Sequence, residues 1–309
     1  MPSHRAPLCH WLPAGVTALV LTTLAAVAVE GQVSGNARPT LFEPVAVFAT
    51  RRLGESSGIA VSRAHAGILW THNDSGDGPF VYATNLEGAD LGRFRVAGAR
   101  AVDWEDIALG PCLGASAACL YIADTGDNEE RRATVALYVV PEPDPSAEPR
   151  RSATAPARRV VLAFRGGPRD AEALAVTPDG TVLLISKGRT GRIDVFRLDP
   201  EQMARDTLEV APWIELPIDP RRALGRLVTG AAASPDGRTL VVRTYTELFF
   251  FALGEPDGVA LTSTCWLGLV EPQGEAVDFL DDRTLVLTSE SALGRAGGIS
   301  RVQCAMAGP

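Results

Sequence analysis

Glu172-Ala173-Leu174-Ala175-Val176-Thr177-Pro178-Asp179-Gly180-Thr181-Val182-Leu183-Leu184-Ile185-Ser186 is the stretch from which the fold can be read. A polar residue and a small residue lead into a short aliphatic run. Pro-Asp-Gly then supplies a tight turn, because Pro presets φ and Gly tolerates positive φ. The second run is β-branched and aliphatic, as a buried strand requires. Ile193 to Leu198 alternates as a third strand, and Trp213 to Ile218 supplies a fourth. The lead-in recurs at Ser57-Gly58-Ile59-Ala60-Val61, Glu105-Asp106-Ile107-Ala108-Leu109, Thr229-Gly230-Ala231-Ala232-Ala233 and Glu275-Ala276-Val277-Asp278-Phe279. The fourth copy also repeats the turn, as Ser234-Pro235-Asp236-Gly237. Successive starts lie 48, 67, 57 and 46 residues apart, and self-similarity near 50 residues marks propellers and solenoids. Four short antiparallel strands per repeat form the blade of a β-propeller.

The fifth copy ends near Cys304 after three strands, while Pro44 to Ala49 is a strand with no other partner. Pairing the two would close the ring and protect its sheet edges. The expectation is an all-β, five-bladed propeller with four antiparallel strands per blade, closed by the N-terminal strand. The long second interval leaves room for a sixth blade. It contains the Pro-, Ala- and charge-rich stretch 141–158, which reads as a solvated insertion inside one propeller domain spanning 29–309.

Residues 1–28 read as a signal peptide. Arg5 gives a positive start, Val16 to Val29 is apolar but short for a membrane span, and Ala26-Val27-Ala28 is a small-residue cleavage site. Export fits the cysteines. Cys9 lies in the signal, and Cys112, Cys119, Cys265 and Cys304 form an even set suited to an oxidising compartment. Of the three possible pairings, Cys112–Cys119 closes a short loop, which leaves Cys265–Cys304 to tie the last two repeats. The expected location is periplasmic or extracellular, with no membrane attachment after cleavage. A net charge of −8 argues against a nucleic-acid partner, which would need a basic face.

Antiparallel pairing puts the start of each first strand and the end of each second strand on one face of the disc. Ser57, Glu105, Glu172, Thr229 and Glu275 would form one column there. His72-Asn73-Asp74, Asp124-Thr125, Ser186-Lys187, Arg243-Thr244 and Ser289-Glu290 would form the other. Clustered carboxylates share protons or bind a hard cation such as Ca²⁺. The structural alternative is that these groups bond the backbone of neighbouring blades. Two acidic loops, Asn73-Asp74-Ser75-Gly76-Asp77-Gly78 and Asp124-Thr125-Gly126-Asp127-Asn128, offer Asp74, Asp77, Asp124, Asp127 and Asn128 as metal ligands, or else form Asx-turns. Trp104, in Asp103-Trp104-Glu105-Asp106, would pack between blades with its flanking acids towards the axis. No G-x-S-x-G, P-loop or dinucleotide fingerprint is present, and His65 and His72 are the only histidines after residue 28.

The segments Glu55 to Ala60, Trp70 to Asp77, Asp103 to Ala108 and Ile122 to Asn128 resemble a group of exported bacterial β-propeller proteins. The resemblance is sharp over 53–140 and blade-like afterwards. More distantly the chain is similar to propellers with phytase-type or esterase-like activity, and to gluconolactonase-type propellers. The phytase kind implies calcium ions and phosphate monoesters, with Lys187, Arg189 and Arg243 as the basic residues available. The gluconolactonase kind implies one divalent metal held by Glu, Asn and Asp, for which Glu105, Glu172, Asn73 and Asp124 are the corresponding positions.

Two functions follow as expectations. One is a monomeric binding module for a small molecule, glycan or protein, with Arg243, Lys187, Glu275 and Trp104 contacting the ligand and Ca²⁺ or another divalent cation bound. The other is a metal-dependent phosphoesterase or lactonase, with Glu105, Glu172 and His72 as the candidate catalytic groups.

Overall fold

The computed structural model describes residues 37–114, 117–146, 152–222, 224–254 and 258–305. The signal peptide expected at residues 1–28 lies outside the described residues. The first strand, β1 (Leu41–Val47), waits for the C-terminus. Blade 1 is β2 (Ser56–Val61), β3 (Leu69–Asn73), β4 (Phe80–Thr84) and β5 (Gly92–Ala97). Blade 2 is β6 (Asp106–Pro111), β7 (Ala118–Asp124) and β8 (Val135–Pro141), completed by β10 (Arg158–Phe164) after the short β9 (Ala153–Pro156). Blade 3 is β11 (Ala171–Val176), β12 (Val182–Ser186) and β13 (Asp194–Leu198). The one-turn helix α1 (Pro200–Met203) and β14 (Thr207–Val210) precede its outer strand β15 (Pro212–Glu215). Blade 4 is β16 (Val228–Ala233), β17 (Thr239–Thr244), β18 (Glu247–Gly254) and β19 (Gly258–Trp266). Blade 5 is β20 (Gln273–Phe279), β21 (Thr284–Glu290) and β22 (Gly298–Gln303), with β1 antiparallel to β22 as its fourth strand.

The ring is therefore five-bladed and closed by one strand from each end, as the repeat implies. The long second interval holds no sixth blade. Its extra chain provides β9, which pairs in parallel with β5 on the outer edge of blade 1. In the same way β14 pairs in parallel with β10 on blade 2. Both additions cover edges that would otherwise be open for pairing.

The buried apolar side chains fall into five clusters, one in each gap between neighbouring blades. Trp70, Trp104 and Tyr138 fill the gap between blades 1 and 2, and Phe164, Phe196 and Leu174 the next. Phe249 and Phe251 lie between blades 3 and 4, and Phe250, Phe279 and Leu287 between blades 4 and 5. Ile59, Leu69, Val286 and Ile299 close the ring between blades 5 and 1. Each blade is apolar on both faces, so no blade can bury its surface alone.

Both disulfides form. Cys112–Cys119 staples the β6–β7 hairpin, and Cys265–Cys304 ties the outer strand of blade 4 to the end of blade 5. Among the described residues no helix is long and apolar enough to cross a membrane.

The repeated polar-small lead-in has a geometric cause. The ladder between first and second strands slips between Ser56 and Gly58, Ala171 and Ala173, Val228 and Gly230, and Gly274 and Val277. The polar residue sits in that bulge, which turns its side chain out of the ladder towards the channel mouth. The small residue follows because adjacent inner strands approach closely. A Cβ on Gly58 would lie 2.6 Å from Ile107 N, and one on Gly230 would lie 2.7 Å from Glu275 O.

Candidate functional site

The inner strand of each blade has one edge with no strand partner, facing the axis. In blade 2 the fully buried Asp106 serves these edges. Its carboxylate accepts from Ile107 N (2.8 Å), Leu174 N (2.9 Å) and Ala231 N (3.3 Å), bridging blades 2, 3 and 4. Burial holds its carboxyl well above the usual range, against the pull of those three donors. His72 lies beside it, fully buried and edge-on to Trp104 at 5.6 Å. Burial lowers the His72 pKa to about 4, so the ring is neutral, with Nδ1 on the Asn73 carbonyl at 2.8 Å. Asp106 thus ties the inner strands of three blades together between the starts of those strands and their far ends.

Glu172 and Glu275 sit in such bulges, whereas Glu105 immediately precedes β6, whose ladder with β7 is regular; all three are buried. Their partners differ. Glu172 Oε1 accepts from Lys187 Nζ at 2.6 Å. Glu275 accepts from Gln273 Nε2 at 2.8 Å, and the same amide donates to Glu290 at 2.7 Å. Glu105 is only 4% exposed, yet no hydrogen-bond donor among the described residues reaches its carboxylate.

What surrounds Glu105 is more carboxylate. Oxygens of Asp74, Asp103 and Glu105 lie within 4.8 Å of one another, and so do oxygens of Glu105, Asp170 and Glu172. The second group carries its own cations, because Lys187 pairs with Glu172 and Arg189 with Asp170. The first group makes no direct ion pair among the described residues, and Lys187 and Arg132 act on it only from a distance. There Asp74 and Asp103 are hydrogen-bonded carboxyl to carboxyl, and Asp74 Oδ1 is buried without a partner. The backbone under this group must be glycine, since a Cβ on Gly126 would collide with Glu105 Oε1 and lie 2.6 Å from Asp103 Oδ2.

The electrostatics follow from burial and crowding. Burial first, then Glu172, Asp74 and Asp103, hold the Glu105 carboxyl well above the ordinary range. Burial and the nearby Asp103 push Asp74 to about 7. Burial and then Asp74 push Glu290 to about 7. Burial raises Glu172 to about 8 even with Lys187 opposing it, and burial with Glu290 raises Glu275 to about 8. Burial alone would lower Lys187, but Glu172 beside it outweighs this and keeps the ammonium charged. Near neutral pH the mouth therefore retains protons that a divalent cation would displace.

The structure sorts the residues expected at this face. Glu105, Glu172 and Asp74 meet at the site, with Lys187 on one flank and Glu275 on the other. Asp77 instead accepts from Tyr82 Oη (2.6 Å) and Asn73 Nδ2 (2.9 Å). Asp124 holds Arg132 at 2.9 Å and Asp103 N at 3.1 Å. Asp127 accepts from Arg132 N at 2.6 Å, and Asn128 accepts from Arg189. These four build turns. Arg243 is fully buried and donates to Ala276 O (2.6 Å), Thr288 O (2.9 Å) and the Glu271 carboxylate, so it struts blade 4 against blade 5. Trp104 is a packing residue, with Nε1 on Arg100 O at 3.0 Å. Ser57 donates to Glu105 O at 2.7 Å, the backbone role expected of the structural alternative.

Asp103 and Asp170 also belong to the site, beyond the ligands expected from the two acidic loops. A signal existed: Asp103-Trp104-Glu105 and Asp170-Ala171-Glu172 share an Asp-x-Glu spacing in consecutive blades. In an extended chain, residues two apart fall on one face.

Comparison with known proteins bears on the fold. No family model and no curated protein matches the chain. Among solved structures, the PQQ-bound aldose sugar dehydrogenase of Streptomyces coelicolor superposes with a TM-score of 0.50 at 11% identity, covering 87% of this chain and all (100%) of that one. An oxidoreductase described as a glucose dehydrogenase from Thermus thermophilus gives 0.48 at 15% identity, covering 85% and 99%. The periplasmic gluconolactonase of Pseudomonas aeruginosa gives 0.43 at 15% identity, covering 79% and 70%. At these identities the likeness is one of fold.

Proposed function

We propose that this chain is an exported propeller that binds a divalent cation at Asp74, Asp103 and Glu105, with Ca²⁺ the best-suited ion. The cation and Lys187 together would hold an oxygen-rich small ligand in the channel mouth. The observation that carries this reading is the Glu105 carboxylate, buried without a donor among other carboxylates. A buried charge needs a partner or a proton, and a hard cation satisfies an all-oxygen donor set. The adjoining group of Glu105, Asp170 and Glu172 has less need of an ion because Lys187 and Arg189 already neutralise it. An ammonium beside a cation suits a ligand with carboxylate, phosphate or vicinal hydroxyl oxygens.

A second reading, metal-dependent hydrolysis of an ester or lactone, draws on one further observation. Glu172, beside the cation site, has a pKa near 8, close to where a general base works best. A bound cation would lower the pKa of its water.

Metal analysis of the purified protein, with melting scans in Ca²⁺ and in chelator, tests the first reading. The expected result is one bound divalent ion and a melting temperature that falls on chelation. Absence of metal together with unchanged melting would refute it. Turnover of a lactone or phosphoester that Glu172→Gln abolishes without loss of bound metal would favour the second reading.

A further inference from the structure

The repeat's exceptions build a second site at the opposite mouth of the channel. Inner strands end there in Ile59-Ala60-Val61, Ile107-Ala108-Leu109 and Leu174-Ala175-Val176 in the first three blades. Blade 4 has Ala231-Ala232-Ala233 at these positions. Blade 5 has Asp278 where the other blades carry Ala60, Ala108, Ala175 and Ala232. Alanine in place of Ile, Leu or Val removes bulk from the ring interior, and a cavity of about 320 Å³ opens on this face. That volume lies within the range of small-molecule sites, about 300–1,000 Å³. Ile59, Val61, Leu109, Val176 and Ala233 supply apolar wall. Ile107 and Ala231, whose amides Asp106 holds, also line it, and Glu105 does not.

Two charged side chains reach this cavity, Asp278 and Arg63. Asp278 accepts from Val61 N and from Phe279 N, each at 2.7 Å, one on each carboxylate oxygen. Each oxygen retains a second lone pair. The Arg63 guanidinium is anchored on Phe279 O (2.6 Å) and Leu280 O (3.1 Å) and acts electrostatically on Asp278. The site thus combines aliphatic walls with one acceptor, whose carboxyl pKa burial raises to about 6 against the pull of Arg63 and the two amides. Its complement is an apolar molecule with a single hydrogen-bond donor such as a hydroxyl, whereas a carboxylate would be repelled by Asp278.

We propose that this cavity binds a compact apolar alcohol, with its hydrocarbon body in the space left by Ala231 and Ala233 and its hydroxyl donating to Asp278. The proposal does not depend on the cation reading of the acidic mouth.

Calorimetric titration with 1-adamantanemethanol and its methyl ether tests it on the full chain. The alcohol is expected to bind saturably, unaffected by chelator. The ether should bind at least about tenfold more weakly, since an acceptor left without its donor loses roughly 1.4 kcal/mol or more. Ala233→Leu fills the space from the partly exposed end of the strand and should abolish binding. Ala231→Val, a smaller change, should weaken it if Ala233→Leu fails to fold. No saturable binding at millimolar alcohol, equal binding of the ether, or binding unchanged in the folded variants would overturn the proposal.

Discussion

Replacing Glu105 with Gln separates a cation site from a structural carboxylate, because the two roles predict opposite signs. Glu105 lies within 4.8 Å of acidic oxygens on both sides and has no donor. Two ionised carboxylates at that separation repel by roughly 3 kcal/mol at an effective dielectric near 20. Retained protons relieve part of this, so the amide should stabilise the cation-free protein at pH 8 by about 1–3 kcal/mol. For a domain of this size that corresponds to a rise of about 2–10 °C in melting temperature. Burial and its acidic neighbours raise the Glu105 pKa, so the difference should shrink as the pH is lowered to 5. The variant should also lose the stabilisation by Ca²⁺, about 2.7 kcal/mol in wild type at a hundredfold excess over Kd. The assay is thermal unfolding followed by circular dichroism at pH 5 and pH 8, with chelator and with Ca²⁺. A variant less stable than wild type at both pH values, or one that Ca²⁺ stabilises as much as wild type, would refute the reasoning.

Other consequences can be measured in the same way. In chelator, Glu172 and Glu275 keep their protons to about pH 8, while the unfolded chain releases them near 4.5. Their folded pKa values exceed the unfolded ones, so wild-type stability should be full below about 4.5 and decline as pH rises towards 8. Saturating Ca²⁺ should flatten that decline, and a flat profile in chelator would contradict it. Asp106→Ala strips the acceptor from two inter-blade amides and should cost at least about 3 kcal/mol, with hydrogen exchange of the Leu174 and Ala231 amides accelerating first. Replacing Cys265 and Cys304 with Ser opens a link across 39 residues. In the chain-entropy model this costs about 4 kcal/mol in denaturant unfolding. Loss of Cys112–Cys119, a separation of only 7, should cost about 2 kcal/mol.

Much of the architecture was visible in local pattern. Pro178-Asp179-Gly180 and Ser234-Pro235-Asp236-Gly237 punctuate consecutive strands, and the recurring lead-in counts the blades. The shortfall in the fifth repeat leaves β1 only one place to go. The parallel strands β9 and β14 were not visible, because four-residue edge strands carry little periodicity and their pairing joins distant segments. The acidic loops were legible as turns or ligands without distinction. Asp74 and Asp77 sit three residues apart in one loop, yet Asp77 is committed to Tyr82 and Asn73 while Asp74 faces Asp103.

Blade count, ring closure and the placing of three glutamates at one mouth follow from sequence periodicity, since strand alternation and bulge chemistry are local. Which carboxylate lacks a partner is a different kind of fact. Glu172 and Glu105 occupy the same place in the repeated lead-in. Only the folded ring brings Lys187 to one and leaves the other facing Asp74 and Asp103. The charge balance of a buried site depends on side chains contributed by several blades, and the channel axis that gathers them exists only after closure.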